Sequence, residues 1–106
     1  MDNIIMHVSF IDTTKGLVDT IDQIFSEGER HLQNEEKGLL HAVWFQLDMS
    51  DDDAAQTLAH ELIKESSNPD RPIYLDMITF DKNVIGDWTL TSVCMPKPTH
   101  LGETVR

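Results

Sequence analysis

The apolar positions change period along the first third of the chain. Over residues 3–11, Ile4, Met6, Val8 and Phe10 alternate with Ile5, His7, Ser9 and Ile11, the two-residue repeat of a strand. Both sets are largely apolar, which predicts a central strand covered by helices on at least one side. Asp12-Thr13-Thr14 then supplies capping side chains, and Leu17, Val18, Ile21, Ile24 and Phe25 fall on one helical face. Gly28 leaves the end of this helix open between Ser26 and Gln33, and the polar run 34–38 reads as a turn.

The stretch 39–47, Leu-Leu-His-Ala-Val-Trp-Phe-Gln-Leu, is almost continuously apolar and rich in β-formers, as in a buried strand. Ser50 and the carboxylates of Asp51, Asp52 and Asp53 suit the start of a second helix, whose buried stripe is Ala55, Leu58, Ala59, Leu62 and Ile63. Ser66-Ser67-Asn68-Pro69 stops it. A third strand follows over 73–80, with Ile73, Leu75 and Met77 on one side and Tyr74, Asp76, Ile78 and Phe80 on the other. A turn at 81–83 or 86–87 leads to a fourth over 88–95, making a closing antiparallel hairpin. The order β-α-β-α-β-β predicts an α/β (α+β) sandwich, a four-stranded sheet with two helices, ferredoxin-like in outline. Residues 1–95 form the expected single domain, and the proline-flanked, unpatterned stretch 96–106 a loose tail.

Charge narrows the function. Nineteen acidic residues against eight basic ones give a formal net charge of -11, so a direct nucleic-acid ligand is not expected. The imbalance is uneven: residues 1–53 hold twelve acids and three bases, whereas residues 54–106 hold seven and five. If the first helix and the start of the second share a side of the sheet, their acids form one negative surface of the kind that steers a basic protein into contact. A lone cysteine, Cys94, fits a reducing compartment, and residues 1–7 offer neither the basic n-region nor the apolar run of a signal peptide; a cytoplasmic protein with no membrane segment is expected.

Complete catalytic or metal motifs do not emerge. Five histidines are many for this length, and His7 and His41 fall on strands expected to be neighbours, but a metal needs three or four converging ligands. His60-Glu61 opens a zinc-protease helix pattern that Lys64 breaks where the second histidine belongs. The run from Asp48 to Asp53 lacks the glycine of a calcium loop at its sixth position, and Ala59 stands at the twelfth. Cys94 has no charged neighbour to activate it, and the five glycines are too scattered for a phosphate loop.

The second half carries a partial family likeness. Trp44-Phe45-Gln46-Leu47, the acidic helix after it, Asn68-Pro69-Asp70 and Asp87-Trp88-Thr89-Leu90 resemble the later part of the BLUF blue-light sensors, which are ferredoxin-like flavoproteins. The resemblance covers about half the chain and implies that Gln46 and Trp88 match the photoactive pair, with His7 standing where the family has its strand tyrosine.

The favoured expectation is a non-enzymatic protein without cofactor or metal that neutralises a basic partner protein, as an immunity protein, antitoxin-like inhibitor or phage anti-defence inhibitor does. Its contacts would be Asp19, Asp22, Glu27, Glu29, Glu35 and Glu36. The alternatives are a degenerate BLUF-like flavin or small-molecule sensor walled by Trp44, Phe45, Tyr74 and Trp88, and a homodimeric structural domain without a ligand.

Overall fold

A computed structural model describes residues 4–33 and 39–97. The elements follow the expected order: β1 (Ile4–Ile11), α1 (Leu17–Gln33), β2 (Leu40–Leu47), α2 (Asp52–Ser66), β3 (Ile73–Lys82) and β4 (Trp88–Pro96). They build one four-stranded sheet in the order β1-β2-β4-β3, with β1 parallel to β2 and β4 antiparallel to both of its neighbours. The compact α+β architecture matches the ferredoxin-like outline.

Both helices pack on one face of the sheet. Ile21, Ile24 and Phe25 of α1 and Leu58 and Leu62 of α2 meet Val43, Phe45 and Leu47 of β2, Leu90 and Cys94 of β4, and Ile73 and Leu75 of β3. Ile24, Leu58, Leu62, Val43, Phe45 and Leu90 are wholly shielded from solvent, and each such side chain is worth about 1.5–3 kcal/mol of burial. The helix α1 runs through Gly28 to Gln33 because that glycine lies against β4: a Cβ there would stand 2.9 Å from both Cys94 Sγ and Ile73 Cδ1.

Four local expectations are corrected. Ile63 is not part of the buried stripe of α2: it is 61% exposed, and Ala55, Leu58 and Leu62 are the buried positions. The strand β1 is an edge strand, paired on one side by β2 only; its two apolar sets therefore do not mark a central position. The cap of α2 is Asp51, not Ser50: its carboxylate accepts the backbone N–H groups of Asp53 and Ala54. The alternation of β3 breaks at a bulge between Asp76 and Thr79, where Met77 takes φ 53°. The extra residue turns Ile78 and Phe80 to the helix side, where they pack on the core. The Asp76 carbonyl at the bulge accepts the hydroxyl of the fully buried Ser92 at 2.9 Å.

At the end of β4, the Lys97 N–H donates to the Pro72 carbonyl and its ammonium to the Asn68 carbonyl. The rest of the expected tail lies outside the described residues. No helix among the described residues is long and apolar enough to cross a membrane.

Candidate functional site

Three strands run parallel and each is followed by polar chain at the same end of the sheet, so their carboxyl-terminal loops converge. After β1, the Asp12 carboxylate folds its own loop by accepting the Thr14 N–H at 2.9 Å and the Thr14 hydroxyl at 2.6 Å. The Gln23 side chain of α1 clamps the Asp12 backbone through both its amide atoms, at 3.0 and 2.7 Å. Gly16 follows with φ 104°, a left-handed conformation suited to glycine, and its carbonyl accepts the Thr20 N–H and hydroxyl to start α1. After β2, Asp48 reaches across to Thr13, accepting its N–H at 2.9 Å and its hydroxyl. These bonds tie the two loops together.

The start of α2 and the β3–β4 turn complete this end. Asp52 accepts the Lys82 ammonium at 2.9 Å and the Trp88 indole N–H at 3.1 Å, while the Trp88 N–H donates to the Met49 carbonyl. The Lys82 hydrogen bond, and then that of Trp88, holds the Asp52 carboxyl below its usual range; the Thr14 side-chain and backbone hydrogen bonds do the same for Asp12. Both groups keep their charge in mildly acidic solution. Seven carboxylates, Asp12, Asp48, Asp51, Asp52, Asp53, Asp81 and Asp87, thus crowd the end of the sheet, with Lys15 and Lys82 the basic side chains beside them. Two open grooves lie between them. One of about 460 Å³ runs between the starts of α1 and α2, past Thr13, Leu17, Met49, Asp51 and Asp53. Another of about 410 Å³ is bordered by Phe10, Asp12, Gln46, Asp48, Ile85 and Asp87.

The contacts expected along α1 fare unevenly. Asp19 is exposed in the first turn, beside the acidic end. Asp22 is bound by Arg71 at 2.8 Å, which also binds Glu65 at 2.9 Å and covers the Phe25 ring. Glu27 is held by Arg30 at 2.6 Å and accepts the Ser9 hydroxyl at 3.1 Å, and Glu29 accepts from Gln33. Glu35 and Glu36 lie outside the described residues. The acidic concentration therefore sits at the sheet end more than along the helix. The signal for it was an aspartate directly after each of two strands, Ile11-Asp12 and Leu47-Asp48.

A polar cluster that sequence reasoning only partly anticipated lies under the other end of α1. His7 and His41 meet across β1 and β2 with Nε2 and Nδ1 3.1 Å apart, and the His31 ring of α1 stacks on His7 with centroids 4.1 Å apart. Ser9 stands 3.0 Å from His31 Nε2 and donates to Glu27. A serine beside an imidazole and a carboxylate has the parts of an activated nucleophile. Ser9, however, is 4% exposed and His41 2%, so the hydroxyl is enclosed between the sheet and α1. The stacked rings lie nearly parallel, and among the described residues no group of three or more histidine, cysteine or acidic side chains is placed to hold a metal ion. Cys94 is buried and its thiol is pushed up to about 12 by desolvation, far from a reactive thiolate.

The residues suggested by the BLUF resemblance are not brought together. Gln46 lies on the side of the sheet away from the helices, opposite Phe10 and Thr89, whereas Trp88 lies on the helix side against Phe80 and Asp52. Trp44 and Tyr74 likewise share the open side, while Phe45 is wholly in the core. These four aromatic residues form no common pocket wall. Compared with known proteins, the chain matches no family model, no curated protein and no solved structure.

Proposed function

We propose that the protein is a non-enzymatic binding protein whose acidic sheet end engages a basic partner protein, in the manner of an inhibitor or immunity protein. The observation that carries this reading is the convergence of seven carboxylates with two basic side chains at one end of the sheet. Such a surface attracts Lys- and Arg-rich partners, speeds their encounter and repels phosphate backbones. The grooves between the loops are lined by both carboxylate and apolar groups, Leu17 and Met49 in one and Phe10 and Ile85 in the other. That combination suits a lysine or arginine side chain, which buries an aliphatic stem and presents a charged head.

The test is gentle isolation from source cells at low salt followed by native mass spectrometry. A second, basic protein that travels with the chain and leaves at high salt is expected. Its association rate should then fall in Asp19→Lys/Asp53→Lys, with a flatter salt dependence. An added mass in the range of a flavin, or a partner whose association rate ignores salt, would overturn the reading.

A further inference from the structure

Among the described residues nothing packs on the face of the sheet away from the helices, and it is the more apolar side of β1. On that strand the covered side mixes Ile5 and Ile11 with His7 and Ser9, while Ile4, Met6, Val8 and Phe10 point outward at 54, 56, 48 and 76% exposure. Water ordinarily selects polar side chains for the uncovered side of an edge strand, and here all four outward positions are apolar. The outward set continues across the sheet: Ile4 pairs with Leu40, Met6 with Ala42 and Val8 with Trp44, and Ala42 pairs with Val93 beyond. Leu40 and Trp44 are each 40% exposed.

We propose that this face is the contact between two copies of the chain, packed sheet to sheet about a two-fold axis. Three observations favour a second copy. The first is area: the six exposed apolar side chains of β1 and β2 present about 600 Å² of surface, at the top of the range that the largest patch of a monomer ordinarily reaches. With the partly exposed Val93, Met95 and Tyr74 around them the face approaches the roughly 800 Å² per partner of a stable interface.

The second is charge. None of the open-side positions of β1, β2 and β4 carries an ionisable side chain; Asp76 and Asp81 sit on β3, at the far edge. A chain of net charge -11 approaches its copy favourably only through such a neutral patch, and a basic partner or an anionic lipid surface finds no counter-charge in it. Setting β1 and β2 against β1 and β2 leaves the β3 carboxylates at the outer margins. The third is shape: the protruding Trp44 indole stands beside the small Ala42 on one strand, a knob next to a dip. A two-fold contact places each knob against the other copy's dip, and facing sheets pack about 10 Å apart. The groove between the starts of α1 and α2 stays accessible in such a pair, whereas Phe10 belongs both to this face and to the second groove, so the partner proposed above would use the first.

Sedimentation equilibrium of the full chain at micromolar concentration tests it. The expected particle has twice the 12.1 kDa chain mass. Val8→Lys, which puts a charge in the middle of the contact, should weaken association about 100-fold or more and give the single-chain mass with an unchanged circular dichroism spectrum. Should that variant fail to fold, Val8→Thr/Trp44→Thr keeps strand-forming residues and must also shift the mass downward. A single-chain mass for the unaltered protein would overturn the proposal. So would a dimer that survives both variants, or flotation of the single chain with phosphatidylcholine vesicles, which would assign the face to lipid.

Discussion

Replacing Gly28 by alanine sets two effects of similar size against each other. Alanine in place of glycine inside a helix is worth about 1 kcal/mol, and Gly28 lies well within α1. The added methyl, however, would stand 2.9 Å from both Cys94 Sγ and Ile73 Cδ1. Comfortable contacts are about 3.5–4.0 Å, so the group intrudes by roughly 0.6–1 Å. The Ile73 contact is with the far end of a side chain that can turn about two torsions, whereas the Cys94 sulfur hangs on one torsion from a central strand and is 1% exposed. Overpacking of this kind costs about 1–3 kcal/mol, so Gly28→Ala should lose a net of about 1 kcal/mol. The companion change, Cys94→Ala, should lose about 1–2 kcal/mol by leaving a small void. In the double variant the new methyl fills that void, and the pair should be about 1–2 kcal/mol more stable than the sum of the two losses. Urea unfolding followed by tryptophan fluorescence, at one protein concentration throughout, measures all four proteins. Additivity to within about 0.4 kcal/mol, or a Gly28→Ala protein stabilised by the full helical gain, would refute the close approach of α1 to β4.

Cys94, with its thiol raised to about 12 by burial, should resist an aromatic disulfide reagent in the native protein and react at once in guanidinium; rapid native reaction would show that the strand opens. Met77→Gly should stabilise the fold by about 0.5–1 kcal/mol, since Met77 holds a left-handed backbone on an exposed bulge; a lower melting temperature would argue against strain there. For Glu27, the Arg30 hydrogen bond, aided by the Ser9 hydroxyl and opposed by burial, holds the carboxyl below its ordinary 4.5. A group depressed in the folded state stabilises above its unfolded value, so this contribution is present above pH 4.5 and fades as pH falls through the folded value. Glu27→Gln should therefore show a shallower loss of stability between about pH 5 and pH 3 than the unaltered chain, and coincident acid titration curves would sink the assignment.

Element type and order were legible because each segment shows one clear period: two along Ile4–Ile11, and three to four along the α1 stripe of Ile21, Ile24 and Phe25. What escaped depends on partners distant in sequence. The bulge at Met77 has no glycine or proline to mark it; it is fixed by Ser92, sixteen residues on, which satisfies the Asp76 carbonyl. Gly28 read as a helix breaker although its meaning is contact with Cys94. The acids of α1 read as one surface, yet Arg71, 49 residues beyond Asp22, takes one of them, and Arg30 and Ser9 share Glu27.

The edge position of β1 shows most plainly why a pattern underdetermines a site. A strand apolar on both sides satisfies the hydrophobic effect either by lying between helices or by covering one side with helices and the other with a second chain, and the sequence is the same in both cases. The distinction comes from which side holds the polar residues. His7 and Ser9 face α1, where Glu27, His31 and His41 satisfy them, so the helix side is the one equipped for polar groups. The open side, with Met6 and Val8 beside Ala42 and Trp44, offers an incoming surface no charge and, from these side chains, only the Trp44 indole N–H as a hydrogen-bond donor. Mainly apolar contact satisfies it, and the surface on this protein that matches it in extent and neutrality is the same face of another copy.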